Sequence, residues 1–544
     1  MPELDDLISK FLHATQERNP EVATFLGGGT GEEPLPDPSP EGMEAKKDFV
    51  RVWKERFAAL DQSSLDPEAQ LDLEVFLRGA ELWLYNLEVL NQACHNPDPL
   101  EELSYLLFTQ TRRACVDEES RFQAMARRLG GLHDYLKAFH ARVQVGDTRW
   151  TEMAHQVADT FPIFLDSIRQ RAQGTVSRGL AQDLHEAIND AKDSLEMHVG
   201  WLEHLPTRDG LWVLDEERFS TLLRLKGIEE YDPDALEELG RAALEACKEE
   251  RDRLAREINP DLDADQVRQS LRKDRPNNVA EILDEVRELL REARAFMQDR
   301  KIATVHPWER LEVEPTPPFF RSLIPAAAYF SPTRADEVQL GTYVITPPAD
   351  RALLEEFCRS ALPLVSVHEG YPGHHYHIAS VNRLSGILRE GGILGFPTDP
   401  SGWFGGELVE GWAYYAEARM LDHGFYDTPE VRFQFQEKLV RRAARLVVDV
   451  RLSCGRFSFD DAVGYLNETA DLPITYAVPE VSRNTRSPGY QLGHLLGKIL
   501  LERLHEERRN VEGEAFDLLS FHNQIVSAGV LPVSLLRTHM TRTR

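Results

Sequence analysis

The sequence predicts a mostly α-helical protein, a large multi-helix fold in two lobes with one small antiparallel β-sheet at about 304–350. Three observations predict it. Apolar residues recur at helical spacing over almost all of residues 1–302; a proline-rich stretch at about 304–350 breaks that pattern; and helical periodicity resumes at Leu353 and continues to the C-terminus.

In the first lobe, 1–302, Leu7, Ile8, Phe11 and Leu12 form one stripe, and Leu71, Leu73, Val75 and Phe76 begin another that runs through Leu82, Leu84 and Leu87. Charge and leucine alternate at helical spacing from Val267 to Met297. Breaks fall at 27–42, which is rich in Gly and Pro, at 95–102, at Gly130-Gly131 and at Asn259-Pro260. In the middle segment, Ala326–Phe330 and Thr342–Ile345 are the short runs expected to be strands, and their edge would suit an added extended peptide. The second region, 303–544, then divides into the sheet at 304–350, helices at 353–425 and C-terminal helices at 428–544.

Composition narrows the function. A formal charge of -29 on 544 residues argues against nucleic acid or an anionic membrane as partner. No stretch approaches the roughly 18 apolar residues of a membrane span. The opening MPELDDLISKFLHATQERNP is acidic and amphipathic and lacks the basic start and apolar run of a secretory signal, so a cytoplasmic location is expected. Five dispersed cysteines (Cys94, Cys115, Cys247, Cys358, Cys454) form no C-x-x-C and are expected to be reduced core residues.

The chemistry concentrates at Val367–His377, where four histidines and a glutamate fall within eleven residues of a chain with 18 histidines. A His-Glu pair with further histidine one to two turns on is how zinc hydrolases join a metal site to a general base. The fifth position from His368 is Pro372, not the histidine of H-E-x-x-H. Pro372 cannot donate to the carbonyl of His368, and Gly373 tolerates an irregular backbone, so a widened turn is expected to bring His374 to the second ligand position. His375 is the alternative. Glu369 is placed to take a proton from a metal-activated water and deliver it to a leaving nitrogen.

The third ligand is expected on the helix opened by Gly405-Gly406, where Glu407, Glu410 and Glu417 lie near one face. Glu410, followed by the small residues Gly411 and Ala413, is assigned to the metal, with Glu407 and Glu417 as supporting partners. Tyr490 or His494, after Pro488-Gly489, could donate to an oxyanion. Arg483 or Arg486 could clamp a substrate carboxylate, and Tyr329 on the expected sheet is a third substrate-binding candidate.

HEGYPGHH (368–375) resembles the H-E-x-x-P-G-H-H motif of the bacterial domain-of-unknown-function family 885, and EGWAYYAE (410–417) resembles its E-G-W-A-x-Y-x-E. Weaker echoes at NPEVATFLG (19–27), AAAYFSP…GTYVITPP (326–348) and SPGYQLGH (487–494) extend the resemblance over nearly the whole chain. The resemblance implies a helical, gluzincin-like zinc metallopeptidase, similar to thimet oligopeptidase and Taq-type carboxypeptidases. It implies His368, His374 and Glu410 at the metal and Glu369 as base. The family's last motif, P-G-Q-A-x-x-Y, is altered here: Tyr490 replaces the glutamine and His494 the tyrosine.

The expected function is therefore a zinc-dependent hydrolase cleaving amide bonds of peptides or small peptide-like substrates. Cobalt or manganese would also suit a His/His/Glu set. The alternatives are an amidohydrolase acting on a non-peptide amide and a non-catalytic metal- or peptide-binding protein on a peptidase-like scaffold. Retention of Glu369 beside His368 favours the hydrolase, because binding alone needs no general base.

Overall fold

The computed structural model describes residues 2–26, 34–112, 116–321, 324, 326–348, 351–394 and 402–542. Cys115, part of the 27–42 break and part of the glycine-rich loop before Gly405 lie outside the described residues. Helices dominate on both sides of one small sheet, as the periodicity predicts. Many start alike, with a short polar side chain capping a free amide and proline at the first helical position: Ser39-Pro40, Asp66-Pro67, Asp232-Pro233 and Thr428-Pro429.

The N-terminal helices close around an aromatic knot in which Phe11 meets Trp53 at 5.4 Å and Phe76 at 5.0 Å, both edge-on. A second cluster, from Leu100 to Leu195, also takes in Phe320 and Val344 beside the sheet. The main core runs across residue 302. It joins Trp150, Phe219, Leu244 and Ile282 from the first half to Tyr371, Trp412, Leu446 and Leu496 from the second. The helix Pro233–Ile258 accordingly packs along Pro429–Ser453, and Val279–Asp299 packs on the short helix Leu362–Glu369.

Two-residue strands β1 (Gly146–Asp147) and β2 (Thr207–Arg208) form a minor parallel pair. The main sheet comprises β3 (Glu309–Pro315), β4 (Ala327–Phe330) and β5 (Gln339–Ile345) in the order β3-β5-β4. It is mixed, which corrects the antiparallel sheet expected at 304–350. β4 and β5 form the antiparallel hairpin, with Tyr329 opposite Tyr343, but β3 pairs parallel to β5, with Glu309 opposite Gln339. β5 thus lies between β3 and β4, and the strand next after β3 in sequence ends up two places away in the sheet. β3 itself, ERLEVEP, alternates too many charges to stand out as a strand.

No single helix among the described residues is long and apolar enough to cross a membrane.

Candidate metal centre

The helix carrying His368 and Glu369 ends at Glu369, and a second helix, His374–Leu384, begins after four intervening residues. The chain does not merely widen there, as the sequence reading expects; it breaks into two helices. Pro372 has no N–H for the His368 carbonyl, and the next amide, Gly373, reaches back six residues to Val367 O at 3.0 Å. A side chain at Gly373 could not be accommodated: its Cβ would lie 2.0 Å from His368 O and 2.2 Å from Val367 O. The Trp412 indole donates to Pro372 O at 2.7 Å, pinning the break to the helix Gly406–Asp422.

That helix crosses Gln491–Glu512 at Gly411 and Gly497, where a Cβ on Gly411 would be 2.4 Å from the Gly497 Cα. The close crossing sets Glu410 against Tyr490 and His494. Buried Asp449 accepts from Gly489 N at 2.9 Å and Leu492 N at 3.0 Å, holding the start of the second helix in place.

His368, His374 and Glu410 converge, each offering one ligand atom within 4.8 Å of the others. Glu410 Oε2 is 3.8 Å from His368 Nε2, 3.6 Å from His374 Nε2 and 3.2 Å from His494 Nε2. The Tyr490 hydroxyl donates to Glu410 Oε1 at 2.7 Å. The donor set fits a divalent cation, and proton positions say why. His368 Nδ1 lies 2.7 Å from Glu417 Oε1, whose two oxygens also accept from Lys438 at 2.7 Å each. Nδ1 therefore carries the hydrogen, and Nε2 presents a lone pair. His494 Nδ1 faces the Gln491 carbonyl at 3.2 Å, so its Nε2 also presents a lone pair toward Glu410. Lone pairs of neighbouring rings and a carboxylate oxygen facing one another are what a cation between them satisfies.

Electrostatics agree. Burial would raise the Glu410 carboxyl, but His494, His374 and His368 hold it well below the usual carboxylate range. Burial, reinforced by Lys438 and His374, lowers His368, and burial pushes His494 down to about 3; burial would lower His374 too, but Glu410 outweighs it and raises that ring. Glu369 is half-buried, and burial pushes its carboxyl up to about 7. Among the described residues nothing hydrogen-bonds or ion-pairs with that carboxylate, which leaves it open for proton transfer.

The other sequence candidates are placed as follows. His375 turns away from the cluster: it is fully buried, with Nε2 3.1 Å from Glu309 Oε2 and Nδ1 3.1 Å from the Tyr329 hydroxyl. Glu417 supports His368, whereas Glu407 sits elsewhere, accepting from Val533 N at 3.2 Å. Arg483 pairs with Glu480 at 3.0 Å, and Arg486 with Asp98 and Glu101 at 3.1 and 2.6 Å.

A family model for bacterial proteins of unknown function, DUF885, matches residues 20–540 of the chain. The chain belongs to the DUF885 family. Two solved structures share the fold of this DUF885 chain over 99% of both partners at 18% identity. One is a candidate lipoprotein from Colwellia psychrerythraea (TM-score 0.83) and the other a candidate lipoprotein of unknown function from Shewanella oneidensis (TM-score 0.77). No curated protein matches. The lipoprotein neighbours overturn the expected cytoplasmic location. That expectation rested on the first twenty residues, of which Pro2–Arg18 form an amphipathic helix, and such a helix carries no information about compartment.

Sequence reasoning missed four residues of the DUF885 site. Glu309 on β3 gathers His375, the Tyr371 hydroxyl at 2.6 Å and Arg294 at 2.8 Å, bracing the break from the sheet side. Tyr414 packs its ring 4.8 Å from that of His368 and 6.1 Å from that of His494. Lys438 and Arg442 reach in from the helix Pro429–Ser453. A signal for the last two exists: Lys438, Arg442 and Arg445 recur at 4 and 3 residues on a helix whose Val440, Ala443, Ala444, Leu446 and Val447 are all buried. Cations on one stripe of so enclosed a helix must meet buried partners.

Proposed function

We propose that this DUF885 protein is a metal-dependent hydrolase, zinc being the fitting cation, that cleaves amide bonds of peptides or small peptide-like substrates. The observation that carries the reading is the convergence of His368, His374 and Glu410 beside Glu369, a carboxylate with no partner among the described residues. A divalent cation held by the three ligands supplies Lewis acidity, which polarises a carbonyl and acidifies a water. Glu369 accepts the proton of the attacking water and passes it to the leaving nitrogen. A group that buried and raised is suited to both directions of transfer near neutral pH.

Glu417 and Lys438 orient His368 from behind, and Asp449 and Tyr490 fix the side of the site opposite it. The Tyr490 hydroxyl stands next to Glu410, as a donor for an oxyanion forming there, whereas His494, with its hydrogen on Nδ1, offers a lone pair on that side. The test is hydrolysis of a mixed peptide library by zinc-supplemented protein, with Glu369→Gln as control. The reading expects cleavage that falls by about 10²–10⁴ in the variant with zinc content unchanged. Equal cleavage by both proteins would sink it.

A further inference from the structure

The helix Pro429–Ser453 turns three cations, Lys438, Arg442 and Arg445, toward the candidate metal centre from one face. Two are matched. Lys438 spans both oxygens of Glu417, and Arg445 meets Glu480 at 2.6 Å, which Arg483 also shares. Arg442 has no such partner. Its Nε donates to the Tyr414 hydroxyl, and it forms no ion pair with any described carboxylate. Its two terminal nitrogens make no described hydrogen bond, and the residue is half-buried. Glu480 and Glu410 act on Arg442 electrostatically, but neither comes within ion-pair distance of it.

The position of Arg442 is also fixed. Its guanidinium carbon lies 5.2 Å from the centre of the Tyr414 ring, the ring that packs against His368 and His494. One aromatic side chain therefore separates a guanidinium that makes no described ion pair from two histidines of the cluster. A fixed, half-buried guanidinium with a free two-nitrogen edge is built for bidentate capture of a carboxylate.

We infer that Arg442 receives a carboxylate of the substrate, so that the preferred substrates are short peptides carrying that group beside the bond to be cut. The inference rests on the hydrolase reading and names its substrate class. The group is either the free C-terminus or an acidic side chain, and both present the same chemistry to Arg442.

Calorimetry on zinc-loaded Glu369→Gln protein separates the sources without relying on turnover. The probes are N-acetyl-trialanine with a free C-terminus, its C-terminal amide, and N-acetyl-Ala-Glu-Ala amide. At least one carboxylate probe is expected to bind about tenfold to a hundredfold more tightly than the trialanine amide. Adding Arg442→Met should erase that preference while leaving zinc content and binding of the amide unchanged, and Arg442→Lys should restore part of it. Equal binding of all three probes, no binding of any, or a preference that survives Arg442→Met would overturn the inference. So would a loss common to acid and amide probes, which marks a purely structural role through Tyr414. Failure of the hydrolase reading looks different: zinc-loaded wild type would leave the peptide library intact whatever the binding data.

Discussion

Nδ1 of His368 lies 2.7 Å from Oε1 of Glu417, a fully buried carboxylate that Lys438 holds by both oxygens. That contact decides which nitrogen of His368 faces Glu410. It makes the imidazole a preset ligand with its lone pair toward the cluster, because ring tautomer and ring orientation are fixed by the same bond.

Removing the acceptor should therefore weaken cation binding from a distance. Glu417→Ala is expected to lower zinc affinity by about 10–100-fold, measured by competition with a chelator. Glu417→Gln, which keeps an acceptor oxygen, should lose less. Identical affinity in wild type and Glu417→Ala would mean that His368 needs no support.

The break between the two motif helices is built on one residue without a side chain. Gly373→Ala forces a Cβ to within 2.0 Å of the His368 carbonyl oxygen. Backbone, not a flexible side chain, stands in the way, so relief requires moving His368 or His374. A stability loss of about 3 kcal/mol is expected in denaturant titration, together with loss of stoichiometric zinc. A variant with native stability and full zinc content would contradict the geometry described for residues 367–374.

Acid stability should report on the ion pairs behind the site. Burial alone would raise Glu480, but Arg445 and Arg483 outweigh it and hold the carboxyl at about 2. Its folded value is thus below the usual 4.5, so the stabilisation is present above pH 4.5 and is lost as pH falls through about 2. The difference corresponds to about 3 kcal/mol. Glu480→Gln should therefore be less stable than wild type by about that amount at pH 7, and the two curves should converge as pH drops from 4.5 toward 2. A gap that stays constant over that window would show that ionisation of Glu480 is not its source.

How much of this was legible in the sequence follows from what each signal encodes. Helical periodicity reports local burial, and it predicts the dominant helices well. It says nothing about strand order, so the parallel pairing of β3 with β5 was hidden, and the charges of ERLEVEP hid the strand itself. The candidates His368, Glu369, His374 and Glu410 lie in two compact motifs, where residue types and the Pro372-Gly373 interruption carry the argument. The interruption predicted that His374 would move toward His368 but not that the helix would stop outright. Glu309 comes from an element distant in sequence, Lys438 and Arg442 come from a basic stretch, EKLVRRAARL, that reads as an ordinary solvated helix face until its enclosure is known, and Tyr414 lies inside the second motif among other aromatic residues that nothing in the sequence sets it apart from. Compartment was not legible in the first twenty residues, because their packing would be the same in any compartment.

The central claim is that His368, His374 and Glu410 hold one divalent cation. Elemental analysis of protein purified without added metal, wild type beside His374→Ala and Glu410→Ala, tests it most directly, with circular dichroism to verify folding. The account predicts about one zinc per chain in wild type and its loss in both folded variants. Wild-type protein that carries no metal and takes up none from a zinc solution would contradict it.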